Sequence, residues 1–168
     1  MDDEILDLVD RDDRVIAQAQ REDIMARGLT NFRVVNGFLR NAQGAVFIPR
    51  RLSTKRYFPD ALDVSVGGHV GSGETYIEAL VREAEEELGL TTCDWREVAA
   101  LTPPVHGISA FMRVYILDTD ETPRFNPEDF SGAEWLMPRD ILRRIHTGDK
   151  AKGDLAALVR ICLLDHSY

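Results

Sequence analysis

The segment GGHVGSGETYIEALVREAEEELGL, residues 67–90, carries six glutamates, and Glu83, Glu85, Glu86 and Glu87 crowd into five positions. Like charges at helical spacing repel by about 0.2–0.5 kcal/mol per pair, so the crowding calls for something that offsets it. Thr75 followed three residues later by Glu78 is a capping-box pattern and marks a helix start. Ile77, Leu80, Val81, Ala84 and Leu88 then form one apolar stripe, and Gly89 ends the helix. On such a helix Glu83, Glu86 and Glu87 stand at i, i+3 and i+4 on a face beside the stripe, while Glu85 points elsewhere. Three carboxylates within one turn form the oxygen donor set that hard cations such as Mg²⁺ or Mn²⁺ take. The competing reading is an exposed helix of good helix formers.

The elements that must hold this helix alternate between strand and helix signals. Residues 6–9 and 15–17 flank a DRDD turn and read as a small hairpin. Residues 20–28 are compatible with a short helix ending at Gly28. FRVVNGFLRN and AVFIPRR form a second hairpin-like pair around NAQG, and LDVSV reads as a short strand ahead of Gly67 and Gly68. Further strands are predicted at REVAALT, SAFMRVYIL and GAEWL. Pro138 suits the first turn of a helix reaching Ile145, with Gly148 as its stop. GDLAALVRICLL reads as a last amphipathic helix with Leu155, Leu158, Val159 and Cys162 on one face. The connection DTDETPRFNPEDFSG is long enough to suit a lid. The early acids Asp2, Asp3, Glu4, Asp7, Asp10, Asp12 and Asp13 read as solvated surface.

Composition narrows the function. At 168 residues the chain suits one domain over 1–168, with 1–28 as a hairpin and short segment packed on it. A net charge of −9 with a pI near 4.9 argues against a binder of nucleic-acid polymers, which needs a basic footprint. Cys93 and Cys162 fit neither metal-ligand spacing nor a disulfide framework, which points to a reducing cytoplasm. The N-terminus has no secretory-signal pattern, and no apolar run is long enough to span a membrane. The expected partner is a small molecule, and the expected assembly is a monomer or homodimer.

Gly68, Glu74, Arg82, Glu83, Glu86, Glu87 and Gly89, with Ala84 and Leu90 at the aliphatic positions, resemble the Nudix box, G-x5-E-x7-R-E-U-x-E-E-x-G-U. A chance match has a probability on the order of 10⁻⁹ to 10⁻⁸ per starting position. The resemblance implies an α/β fold, the Nudix α/β/α sandwich with a mixed central sheet, here with a small N-terminal β-hairpin added. It also implies hydrolysis of a diphosphate linkage by attack of a metal-activated water on phosphorus, with Mg²⁺ or Mn²⁺ as cofactor. Glu83, Glu86, Glu87 and the backbone carbonyl of Gly67 would hold the cation. Glu83 or Glu86 would serve as base, and Arg82 would orient its neighbours by pairing with Glu74. Gly67 and Gly68 would let the chain turn tightly.

Within the superfamily, FIPRRLSTKRYFPDALDVSVGGHV resembles the branch that holds isopentenyl-diphosphate isomerases and their hydrolytic relatives. Arg50, Arg51, Lys55 and Arg56 then look like a phosphate-binding edge, with Arg51 and Lys55 the best matches to diphosphate contacts. His69 matches one isomerase metal ligand, but the partner histidine position falls at Phe32, so His69 is read as a loop residue or substrate contact. The isomerase cysteine position is Gly67, and residues 98–117 contain no acid, so isomerisation is not expected. The substrate expected is a small nucleoside di- or triphosphate or a nucleoside-diphosphate derivative. The alternatives are a prenyl-type diphosphate and a non-catalytic ligand-binding role. Phe32, Tyr57, Phe58, Phe111 and Phe125 are candidates for stacking on a base, with His106, Ser109, Asp129 and Glu134 as possible pocket residues.

Overall fold

The computed structural model describes residues 4–164. A two-stranded antiparallel sheet, β1 (Ile5–Val9) and β2 (Val15–Gln20), leads into the short helix α1 (Arg21–Ala26), which Gly28 closes with φ +60°. The main sheet follows: β3 (Arg33–Arg40), β4 (Val46–Arg51), β5 (Val66–His69), β6 (Arg96–Leu101), β7 (Phe111–Asp118) and β8 (Phe130–Leu136). Its order is β6-β7-β3-β4-β8, with β5 paired to β3 beside the β4 contact. β3 and β7 run parallel and the other pairs antiparallel, so the central sheet is mixed.

Each face of this sheet buries its own apolar layer. On one side Val35, Leu39, Phe47, Val66 and Tyr115 pack with Ala79, Leu80, Ala84 and Leu88 of α2 (Tyr76–Leu88). On the other, Val34, Phe38, Ile48 and Val114 pack with Ile141 of α4 (Pro138–His146) and Leu155, Leu158 and Val159 of α5 (Leu155–Val159). The expected sandwich, with its mixed sheet and N-terminal hairpin, is therefore present. The residues predicted for the last helical face, including Cys162, are all buried, although the winding loosens to a π-helix over Arg160–Leu164. The Pro-rich TPPVHGIS stretch contains one helical turn, α3 (Pro103–His106).

Three sequence expectations need correction. The strand assigned to LDVSV starts later, at Val66, so Gly67 and Gly68 lie inside β5, opposite Asn36 and Val35 of β3, and not in a tight turn. Ile77 is exposed in the first turn of α2, whereas Ala79 is fully buried. The buried arc is thus rotated about 50° around the axis from the predicted stripe, toward Glu83 and Glu87. The cause is β5, which packs on that side of the helix.

The early acids are the third correction. Asp2 and Asp3 lie outside the described residues, but Asp7 is buried. Its carboxylate accepts from Ser72 Oγ at 2.7 Å, Gly73 N at 3.2 Å and Gln18 Nε2 at 3.2 Å. Asp13 accepts from Arg33 Nε at 2.7 Å and from the Tyr76 hydroxyl at 3.0 Å. The hairpin thereby grips the loop between β5 and α2 through Asp7, and the starts of β3 and α2 through Asp13. Burial works to raise the Asp7 pKa, but these hydrogen bonds outweigh it and hold the group below its ordinary 3.8. A depressed folded-state pKa stabilises the fold above the unfolded value, and that contribution is lost as pH falls. Asp7→Asn should therefore cost about 1–3 kcal/mol at neutral pH, with the gap to wild type narrowing below about pH 4. Urea unfolding at pH 7 and pH 3.5 measures both; an equal gap at the two values would contradict it.

Candidate active site

The capping box forms as predicted. Glu78 N donates to Thr75 Oγ1 at 3.3 Å, Thr75 N donates to Glu78 Oε2 at 2.8 Å, and Gly89 closes α2 in the left-handed region at φ 64°. With both ends set, Glu83 and Glu87 face β5. A Cβ at Gly68 would overlap the Glu83 carboxylate, so the glycine lets Glu83 lie against the strand backbone. Gly67 N donates to Glu87 Oε2 at 3.2 Å, so Gly67 reaches the cluster through its N–H. Glu86 lies toward solvent, with 60% of its side chain exposed, and Glu85 is exposed as predicted.

Arg82 organises this ensemble. Its Nε and Nη2 donate to Glu74 at 2.8 and 2.9 Å, its Nη1 to Glu83 Oε1 at 2.8 Å, and Nη2 also reaches the carbonyl of His69 at 3.2 Å. Glu74 in turn accepts from Gly71 N at 2.8 Å, which ties the loop to the same arginine. The expected pairing of Arg82 with Glu74 across the loop is formed. Glu86 is a further neighbour at 3.7 Å.

The electrostatics favour a cation. Burial is the largest influence on Glu87 and, with the nearby Asp63 and Glu83 charges, pushes its pKa well above the ordinary carboxylate value. Burial likewise raises Glu83, against the lowering pull of Arg82. Glu4, from the chain ahead of β1, is raised by burial and adds its charge to Glu83. Among the described residues no three acidic, histidine or cysteine groups stand converged as a finished metal shell. Even so, Glu83, Glu87 and the flexible Glu86 offer oxygen donors of the kind Mg²⁺ and Mn²⁺ prefer, and desolvated neighbouring carboxylates are the charge such an ion would neutralise.

The basic edge spans the end of β4, with Arg50 and Arg51, and the loop after it, with Lys55 and Arg56, and each of its cations has an acidic partner. Arg50 pairs with Asp149 at 3.0 Å, Arg51 with Asp63 at 2.8 Å, Lys55 with Asp129 at 2.5 Å, and Arg56 with Glu22 at 3.1 Å. Arg51 is the one drawn toward the glutamates, because Asp63 also stands beside Glu87. His69 ends β5, with its ring 5.7 Å from that of Phe32 and its Nδ1 3.5 Å from Glu4. Burial, then the charges of Arg21, Lys152 and Arg82, pull its pKa down to about 3, so the ring is neutral at physiological pH.

Of the aromatic candidates, Phe32 and Phe111 are core, and Phe125 packs against core residues. Tyr57 and Phe58 are exposed beside the basic loop. Glu134 pairs with Arg144 at 2.6 Å, and Ser109 hydrogen-bonds to Asp154. The long connection after β7 is pinned to α2, since Asn126 N donates to the carbonyl of Glu87 at 2.7 Å. Sequence spacing missed Glu4, Asp63 and Lys152, which reach the site from distant segments and carry no motif.

Residues 30–158 match the family model for the NUDIX domain. The chain is 54% identical over 162 residues to a Nudix hydrolase of Deinococcus radiodurans, covering 95% of this chain and 94% of that protein. It is 48% identical over 160 residues to a Nudix hydrolase of Nostoc sp., covering 94% and 95%. The crystal structure of DR0079 from Deinococcus radiodurans matches with a TM-score of 0.89 at 53% identity, over 95% of this chain and 99% of that one. A MutT protein from Methanosarcina mazei shares the fold at a TM-score of 0.62 and 18% identity, over 76% and 89%. This chain belongs to the Nudix family and is a Nudix pyrophosphohydrolase, in a family whose members generally use divalent metals. No helix among the described residues is long and apolar enough to cross a membrane.

The contact between Gly68 and Glu83 generates a direct test. Gly68→Ala places a methyl group where the Glu83 carboxylate lies, so Glu83 must move. Misplacing a reacting group by about 1 Å can cost on the order of 100-fold, and turnover of a diphosphate substrate should fall by that order. Steady-state kinetics beside circular dichroism checks this; wild-type turnover in a folded variant would contradict the assigned contact.

Proposed function

We propose that this protein hydrolyses a diphosphate linkage in a small nucleoside di- or triphosphate, or in a nucleoside-diphosphate derivative, and depends on Mg²⁺ or Mn²⁺. The observation that carries the reading is the partly desolvated pair Glu83 and Glu87, set on the glycine strand with Asp63 alongside. Grouping these charges out of water costs stability unless a cation offsets them. Glu83, Glu86, Glu87 and the Gly67 carbonyl are the proposed cation ligands. When bound, the ion supplies Lewis acidity, lowering the pKa of the attacking water and offsetting charge on the phosphates.

The other roles belong to the chain's own groups. Glu83 or Glu86 accepts the proton of the attacking water. Arg82 fixes the rotamer of Glu83 through the 2.8 Å hydrogen bond and holds the loop through Glu74. Arg51 and Lys55, with Arg50 behind them, bind substrate phosphates by exchanging Asp63 and Asp129 for phosphate oxygens. His69, as a neutral ring, contacts substrate by hydrogen bonding and not by charge. The exposed Tyr57 and Phe58 are the surfaces available for a base.

Isomerisation of prenyl diphosphates finds no support, since Gly67 has no thiol and the two acids within β6, β7 and their connection, Glu97 and Asp118, pair with Arg113 at 2.8 Å and with Arg40 at 2.7 Å on the sheet. We take residues 1–168 as one Nudix domain, supported by Leu6 and Leu8 of the hairpin lying in the same core as Phe32 and Ile141. We assign it to the cytoplasm, as a monomer or homodimer. Purified protein should release phosphate or pyrophosphate from at least one member of a panel of nucleotides and nucleotide sugars with Mg²⁺ or Mn²⁺, and from none in chelator. Nucleotide binding without turnover across the panel would contradict hydrolysis and favour a regulatory domain.

A further inference from the structure

The cations of the basic loop are committed to short ion pairs, but Lys152 is held differently. Leu62 N donates to the carbonyl of Lys150, and Lys152 N donates to the carbonyl of Leu62, both at 2.8 Å. This short parallel bridge, centred on Leu62 and Ala151, carries Lys152 from the α4–α5 connection to the glycine strand. Its Nζ lies 3.5 Å from where a Cβ on Gly67 would stand and 3.5 Å from Asp63 Oδ1. Its charge acts on both Glu87 and His69.

The length of the Asp63 contact is informative. Lys55 closes on Asp129 to hydrogen-bonding distance, at 2.5 Å. Lys152 stops short, its three N–H donors make no hydrogen bond among the described residues, and 27% of its side chain is open to solvent. Asp63 is already engaged by Arg51 Nη1 at 2.8 Å and by Val64 N at 2.8 Å. The ammonium therefore has donors to spare over a patch of strand that has no side chain.

We propose that Lys152 is a phosphate-binding residue of the active site, its ammonium donating over Gly67 to a non-bridging oxygen of the substrate diphosphate. The identity of the ligand rests on the hydrolase reading above; the position of the ammonium does not. An ammonium is a compact point charge suited to a phosphate oxygen. Packing alone keeps Gly67 a glycine, since a Cβ there would meet Val64 Cγ2 at 2.8 Å and Asn36 Oδ1 at 2.9 Å, and the ammonium therefore stands over bare strand backbone.

The test uses inorganic pyrophosphate with Mg²⁺, titrated calorimetrically into the full chain, with Lys152→Gln and Lys152→Arg beside wild type and melting curves for each. Lys152→Gln should weaken pyrophosphate binding at least ~10-fold, and Lys152→Arg should recover part of the loss. A second arm needs no variant: pyrophosphate should protect Lys152 of the wild-type protein from amine acetylation, read by mass spectrometry, while the exposed Lys150 is unprotected. Wild-type affinity in Lys152→Gln, or unchanged acetylation of Lys152, overturns the proposal, as does a wild-type protein that binds no pyrophosphate. If pyrophosphate binds through Lys152 but no nucleotide is hydrolysed, the hydrolase reading fails and this contact stands.

Discussion

Gly68 lets a carboxylate lie where any side chain would stand, and much of the site follows from that approach of β5 to α2. Because the strand comes so close, Glu83 and Glu87 are drawn out of water and toward one another, and the buried arc of the helix turns toward them. The helix is held at this angle from both ends, by the Thr75–Glu78 capping box and by the left-handed Gly89. Beneath it, Ala79, Leu80, Ala84 and Leu88 pack on the sheet and leave little freedom to rotate away.

Two connected networks keep the charged groups in place. Arg82 joins the helix to the loop through Glu74 and to β5 through the carbonyl of His69, so the residue that orients Glu83 also fixes the loop. Asp63 links the other side, since it accepts from Arg51, stands 3.5 Å from Lys152 and bears on Glu87. The N-terminal hairpin, ahead of the residues that match the family model, buttresses the loop through Asp7 and the start of α2 through Asp13. Positioning of the glutamates is thus shared among segments far apart in the chain.

What could be read from sequence alone was local. The capping box, the glycine stop, the Glu74–Arg82 pair and the strand–helix order depend on neighbours within one element or loop. The mixed sheet and its layers followed from resemblance to a family. Contacts made in three dimensions were not legible: Asp7 looked like one more surface acid in an acidic run, and nothing in the spacing brings Lys152 or Asp63 to Glu87. The tilt of the buried arc escaped for the same reason, because Ile77 and Ala79 differ in what the sheet places against them and not in helical periodicity. The basic run at residues 50–56 was visible as charge, but its pairing with Asp149, Asp63, Asp129 and Glu22 was not.

If a divalent cation is what makes the glutamate cluster tolerable, one comparison on α2 decides it. Glu87→Gln and Glu85→Gln each remove one charge from the same helix with little change in shape or helix propensity, but only Glu87 faces β5. Melting curves are recorded in chelator and then with Mg²⁺. In chelator, Glu87→Gln should be as stable as wild type or more so, by about 0.2–0.5 kcal/mol for each like-charge pair relieved. With Mg²⁺, wild type and Glu85→Gln should gain stability in proportion to cation binding, while Glu87→Gln gains little. Equal responses of the two variants to Mg²⁺ would contradict a cation site on this helix and leave the glutamates as surface charge.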